Sequence, residues 1–165
     1  IAEGAARYNP MSYHNGSVWP HDNGLLALGL KRYDLGAPLV RLLSGLFGTA
    51  LSVETKRLPE LFCGFPRQDG EGPTAYPVAC LPQAWAAASA FAVVGAMTGV
   101  SFRPDERAIR FVRPVLPDWM PQLRIENLRL LDASVDVCLT RHGPDGSVSL
   151  VVERRSGEIE VAIIT

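Results

Sequence analysis

The residue types most able to do chemistry lie in one run, Tyr8-Asn9-Pro10-Met11-Ser12-Tyr13-His14-Asn15-Gly16-Ser17-Val18-Trp19-Pro20-His21-Asp22-Asn23. Aromatic faces beside converging amides and hydroxyls suit a sugar, which offers apolar C–H faces and a rim of hydroxyls. Trp19 is the candidate stacking platform; Tyr13, His14, Asn15 and His21 are candidate polar contacts. A plainer reading is equally open: Trp19 and Tyr13 plug a core, His14 and Asn15 cap backbone groups, and each histidine is a satisfied loop residue. Asp22 either caps a helix that starts beside it or acts as an acid. His14, His21 and Asp22 match no standard ligand spacing, so no metal or cofactor is expected. Asn9-Pro10, Asn15-Gly16 and Trp19-Pro20 favour turns and extended backbone. The run therefore reads as an irregular loop entering a helix near His21.

A carboxylate stands out further along. Glycoside hydrolysis needs one protonated carboxyl to feed the leaving oxygen and one ionised carboxyl to activate water or attack. Glu60 lies between Pro59 and Leu61-Phe62. In such company it is either an exposed turn residue or a carboxylate held in a pocket. Arg67 either orients Glu60 and binds a hydroxyl or sits on the surface. Trp85 either lines a pocket or fills the core.

Three blocks in order carry a family resemblance: Tyr8 to Leu30, Leu58-Pro59-Glu60-Leu61-Phe62-Cys63-Gly64-Phe65-Pro66-Arg67, and Tyr76-Pro77-Val78-Ala79-Cys80-Leu81-Pro82-Gln83-Ala84-Trp85. Over most of residues 8–100 the chain resembles the amylo-alpha-1,6-glucosidase (glycogen debranching) family of glycoside hydrolases. The resemblance implies an inverting enzyme acting on alpha-glucans, with Glu60 as base and Asp22 within the substrate-contacting block. It places the general acid on an Asp upstream of the first block, so this chain by itself is expected not to hydrolyse glycosides. It also implies an (α/α)6 toroid of which this chain supplies the last helices. Opening at Ile1 without Met, the sequence reads as the C-terminal part of such a catalytic domain. Its partners would be an alpha-glucan or oligosaccharide and the missing N-terminal portion, with self-association open to any uncovered helix face. Two alternatives stand beside this reading: a non-catalytic carbohydrate-binding or structural remnant, and a related toroid glycosidase with another alpha-glycoside substrate.

Three elements must position these residues. Residues 22–33 read as a helix with leucines at spacings of three and four, closed by Lys31-Arg32 and broken at Asp34-Leu35-Gly36. Pro38 starts a second helix, striped by Leu39, Leu42, Leu43, Leu46 and Phe47. Gly45 and Gly48 weaken it by about 1 kcal/mol each and suit close packing. Residues 54–79, rich in Pro and Gly, form a long irregular connection, the kind that tends to be functional. Pro82 to Met97 is a third helix, apolar nearly all round and so expected to be buried on most sides. After Ser101 the period becomes two, giving about five antiparallel strands with turns at Pro144-Asp145-Gly146 and Ser156-Gly157. The expected fold is mainly α with a β tail, a partial toroid over residues 1–100 and a small antiparallel β unit over 101–165.

Bulk composition sets outer bounds. With 47% hydrophobic and 20% charged residues among 165, the chain is globular in class. A net charge of -1 argues against nucleic-acid or anionic-membrane partners. Three cysteines without Cys-x-x-Cys spacing suit reduced thiols in the cytoplasm, with Cys63 and Cys80 as small apolar fillers. The most apolar run, Ala84 to Met97, is too short to span a bilayer.

Overall fold

The structure, a computed structural model, describes residues 1–68 and 70–165. Two compact units divide the chain, Ile1–Gly29 with Arg41–Val93 and Leu30–Val40 with Val94–Thr165.

Three helices contribute residues to both units. α1 (Pro20–Arg32) opens on a proline, whose fixed φ suits a first helical position, and carries Asp22 in its first turn and Lys31 and Arg32 in its last. α2 (Gly36–Ser52) buries Leu39, Leu43 and Leu46, the spacing of one helix face. α3 (Ala84–Thr98) buries Val93, Ala96 and Met97. Gly99 ends it at φ +61, where a Cβ would lie 2.0 Å from the Val112 carbonyl oxygen.

In the first unit, α-helical segments hold a long irregular stretch joined by the isolated antiparallel bridges Val18↔Phe62 and Phe62↔Ala75. Leu58, Phe62 and Ala86 form a buried cluster, with Ala50 and Val53 packed against it. α3 departs here from the expected burial: Phe91 is 81% exposed and Trp85 46% exposed.

The second unit carries two three-stranded sheets. β1 (Val100–Arg103), β2 (Ala108–Val112) and β6 (Glu160–Ile164) form one, in the order β1-β2-β6. β3 (Gln122–Leu130), β4 (Ala133–His142) and β5 (Ser147–Ser156) form the other. β2 and β6 run parallel, and the remaining ladders are antiparallel. Ile109 and Phe111 of β2 and Val135, Val137 and Leu139 of β4 are fully buried, the inward half of each alternation.

These proportions overturn the expectation of a mainly α chain forming part of a toroid with one antiparallel β tail. The described residues hold 29% helix and 28% strand, with three helices and two small sheets. Prolines and glycines crowd residues 1–19 and 53–83, where no described residue is helical, and the last strand leaves its neighbour in sequence to pair parallel with β2. Ser156-Gly157 thus turns a corner between sheets and closes no hairpin.

Asp136 pins the β3-β4-β5 sheet where the register shifts in both ladders. It accepts from Arg154 Nε at 2.6 Å and Nη2 at 2.8 Å, and from the Asn127 N–H at 2.7 Å. Asn127, at φ +55, is the bulged residue that aims its N–H inward. The Arg154 guanidinium, helped by the Asn127 N–H, holds the Asp136 carboxyl down at about 2. A carboxyl with a depressed folded pKa contributes stability that is complete above its ordinary range and lost as pH falls through the folded value. We expect Asp136→Asn to lower the Tm by several degrees at neutral pH, with the gap to wild type closing in strongly acid solution. Thermal melts across pH check this, and a gap that does not depend on pH contradicts it.

Candidate functional site

Glu60 sits in a segment whose backbone is tied on both sides. Val18 and Phe62 exchange two N–H···O bonds of 2.9 Å, and the Cys63 N–H donates to Thr74 O at 3.0 Å. Gly64 N–H donates to Pro10 O at 2.8 Å, while Tyr8 OH donates to Gly64 O at 2.7 Å. Here two glycines let the chains touch: a Cβ on Gly64 would lie 1.8 Å from Gly16 O. The aromatic loop, the Glu60 segment and residues 74–80 are thereby bonded into one layer.

Within that layer Glu60 is 7% exposed. Its N–H donates to Cys80 O at 2.9 Å, and the Cys80 N–H returns a bond of 3.2 Å to Oε2. Tyr13 OH donates to Oε1 at 2.7 Å. The Tyr13 hydroxyl and then the Cys80 N–H hold the Glu60 carboxyl below the usual carboxylate range, against the opposing effect of burial. Tyr13 responds in kind: donating to Glu60 pushes its phenol up to about 12. Glu60 is therefore ionised, Tyr13 keeps its proton, and neither donor to Glu60 carries a charge.

Aromatic rings continue outward from Tyr13. Its ring meets His14 and Trp19 edge-on, each with centroids 4.7 Å apart, and Tyr76 at 5.8 Å. Trp19 lies parallel to His14 at 6.0 Å and edge-on to His21 at 5.6 Å and to Trp85 at 6.2 Å. His21 stacks on Trp85 at 4.5 Å, with 17° between the rings. Trp19 Nε1 is fixed by bonds to Ser17 Oγ at 3.0 Å and Tyr13 O at 3.2 Å, so the indole has a set orientation. His21 Nε2 lies 3.2 Å from Asp22 Oδ1, and its Nδ1 is buried without a partner among the described residues.

Of the residues singled out in the sequence, Glu60, Tyr13, His14, Trp19, His21 and Trp85 thus converge. Asp22 joins only through His21 and is 66% exposed. Asn15 serves the loop: its carbonyl accepts from Asn9 N–H at 2.8 Å and its N–H donates to Ser12 Oγ. Arg67 lies elsewhere, with its guanidinium beside Gly48 of α2 in a separate cavity. Cys80 is exposed and not the small filler expected, and its backbone is the second clamp on Glu60. A backbone donor leaves no signal in residue type, so nothing in the sequence points to it.

None of the described helices is long and apolar enough to cross a membrane. Comparison with models of protein families finds none that matches the chain, and comparison with curated proteins finds no match either.

Removing the Tyr13 hydroxyl takes away a bond made only to the ionised carboxylate. Tyr13→Phe should therefore raise the Glu60 pKa, which a carboxyl-detected NMR titration reads directly. An unmoved midpoint would mean that the hydroxyl does not hold the charge.

Proposed function

We propose that this chain carries the water-activating half of an inverting glycoside hydrolase acting on alpha-glucans, of the amylo-alpha-1,6-glucosidase (glycogen debranching) kind that its three sequence blocks resemble. The observation that carries this reading is a buried, ionised carboxylate held by two uncharged donors at the inner edge of an aromatic wall. Each carboxylate oxygen keeps lone-pair capacity after accepting one bond, so Glu60 can still receive a proton from water. In the proposed reaction Glu60 takes one proton from a water as its oxygen attacks the anomeric carbon. The glycosidic bond breaks, and the leaving oxygen receives its proton from a carboxylic acid about 6.5–9.5 Å from Glu60. That acid would come from the N-terminal portion of the enzyme, to which this chain would be the C-terminal part. Trp19 and Trp85 offer faces for the sugar ring, and His14 and His21 offer nitrogens to its hydroxyls. A cytoplasmic setting fits the three unbridged cysteines.

General base catalysis contributes about 10²- to 10⁴-fold, so Glu60→Gln in the full-length enzyme should lower kcat by that order with the fold intact by circular dichroism. Full turnover in that variant discards the assignment.

The aromatic wall does not need the acid in order to hold a glucan. Calorimetry on this chain alone should show maltooligosaccharide binding without turnover, weakened on the order of 10-fold by Trp19→Ala. Saturable binding with no hydrolysis in the full-length enzyme would favour a carbohydrate-binding module, and no binding at all a structural piece.

A further inference from the structure

A cavity of the first unit lies apart from Glu60. It measures about 680 Å³, and none of Glu60, Tyr13, Trp19, His21 or Trp85 lines it. One wall is α2, where Gly45, Gly48, Thr49 and Ser52 present little bulk. The other is formed by described residues of the loop, Phe62 to Gln68 on one side and Glu71 to Thr74 on the other.

Two arginines line this space, Arg41 from α2 and Arg67 from the loop. Arg67 lies over Gly48, where an added Cβ would come 3.6 Å from Nη1. Arg41 and Arg67 carry no ion pair among the described residues, and Glu71 is the single carboxylate among the described lining residues. Two unmatched planar forks in one hollow are the arrangement that grips a phosphate group. The rest of the lining is neutral and hydrogen-bonding, with Thr49, Ser52, Gln68 and Thr74, and with the rings of Phe62 and Phe65. Hydroxyls, an amide and aromatic faces around a cationic pair match a sugar bearing a phosphate.

We propose that this cavity is a second binding site, for a phosphorylated mono- or disaccharide, with Arg41 and Arg67 on the phosphate and the polar and aromatic lining on the sugar. Its volume falls within the range of about 300–1,000 Å³ usual for small-molecule sites. The site shares a wall with the aromatic layer, because Val18 and Phe62 both line it and are hydrogen-bonded to each other.

The test is calorimetric titration of the full chain with glucose 6-phosphate, with glucose and inorganic phosphate in separate cells. Saturable binding of the sugar phosphate is expected, at least about 10-fold tighter than either component alone. Arg41→Ala and Arg67→Ala should each weaken it by about 10- to 100-fold, with folding verified by circular dichroism. Glu60→Gln should leave this affinity unchanged, which separates failure here from failure of the hydrolase reading. Absence of binding at millimolar ligand overturns the proposal. So does wild-type affinity in both arginine variants, or inorganic phosphate or glucose binding as tightly as the sugar phosphate.

Discussion

A carboxylate removed from water has to find replacement donors, and Glu60 finds them on two segments remote from its own. Tyr13 lies 47 residues before it and Cys80 lies 20 residues after it. Leaving either bond unmade in a buried position would cost on the order of 1–3 kcal/mol, more than most single contacts supply. Burying this one side chain therefore demands that three irregular segments close on one another. The ties around it answer that demand: the Val18–Phe62 pair, the Cys63–Thr74 bond, and the Gly16–Gly64 contact that admits no side chain. The aromatic rings follow from the same closure, since Tyr13 must point inward and its neighbours His14 and Trp19 pack on its edges.

Asp136 shows what a purely structural carboxylate looks like in the same chain. It too is buried and bonded to a backbone N–H, but a guanidinium grips both of its oxygens. Its charge is cancelled on the spot, and the carboxyl is held at about 2, too weak a base to take a proton from water near neutrality. Glu60 has only neutral donors, so its charge is stabilised yet not cancelled. The two sites differ in whether negative charge is left over to act on something that arrives. That difference, more than burial, sets Glu60 apart from Asp136.

The sequence reveals these features unevenly, for physical reasons. α2 is plain because Leu39, Leu43 and Leu46 recur on a helical period, and β4 is plain because Val135, Val137 and Leu139 recur on a period of two. β1 is hidden: four residues with a half-exposed pattern carry no clear alternation, and only pairing with β2 makes them a strand. The parallel partnership of β2 and β6 is also hidden, since it joins segments about fifty residues apart and leaves no local mark. The even balance of helix and strand is obscured for another reason. The apolar helices dominate composition over the first hundred residues, while half of that stretch is loop. At the site, Glu60 and the aromatic run can be picked out by residue type, but the bond from the Cys80 backbone cannot.

Arg67 is the instructive case, because nearness in sequence to Glu60 invites a pairing that the fold does not make. The extended backbone after Phe62 carries the guanidinium away to Gly48 of α2. Had it reached the carboxylate, an opposite charge at about 4 Å and an effective dielectric constant of about 20 would contribute about 4 kcal/mol to the ionised form. A base stabilised by that much holds a proton about a thousandfold less well, and the fork would also occupy the lone pairs that a water needs. Glu60 would then resemble Asp136. Val18 and Phe62, paired with each other, line the cavity that holds both arginines, and Glu60 does not line it. The charge of Glu60 is met by neutral donors alone, and Arg41 and Arg67 keep their positive charge in that cavity.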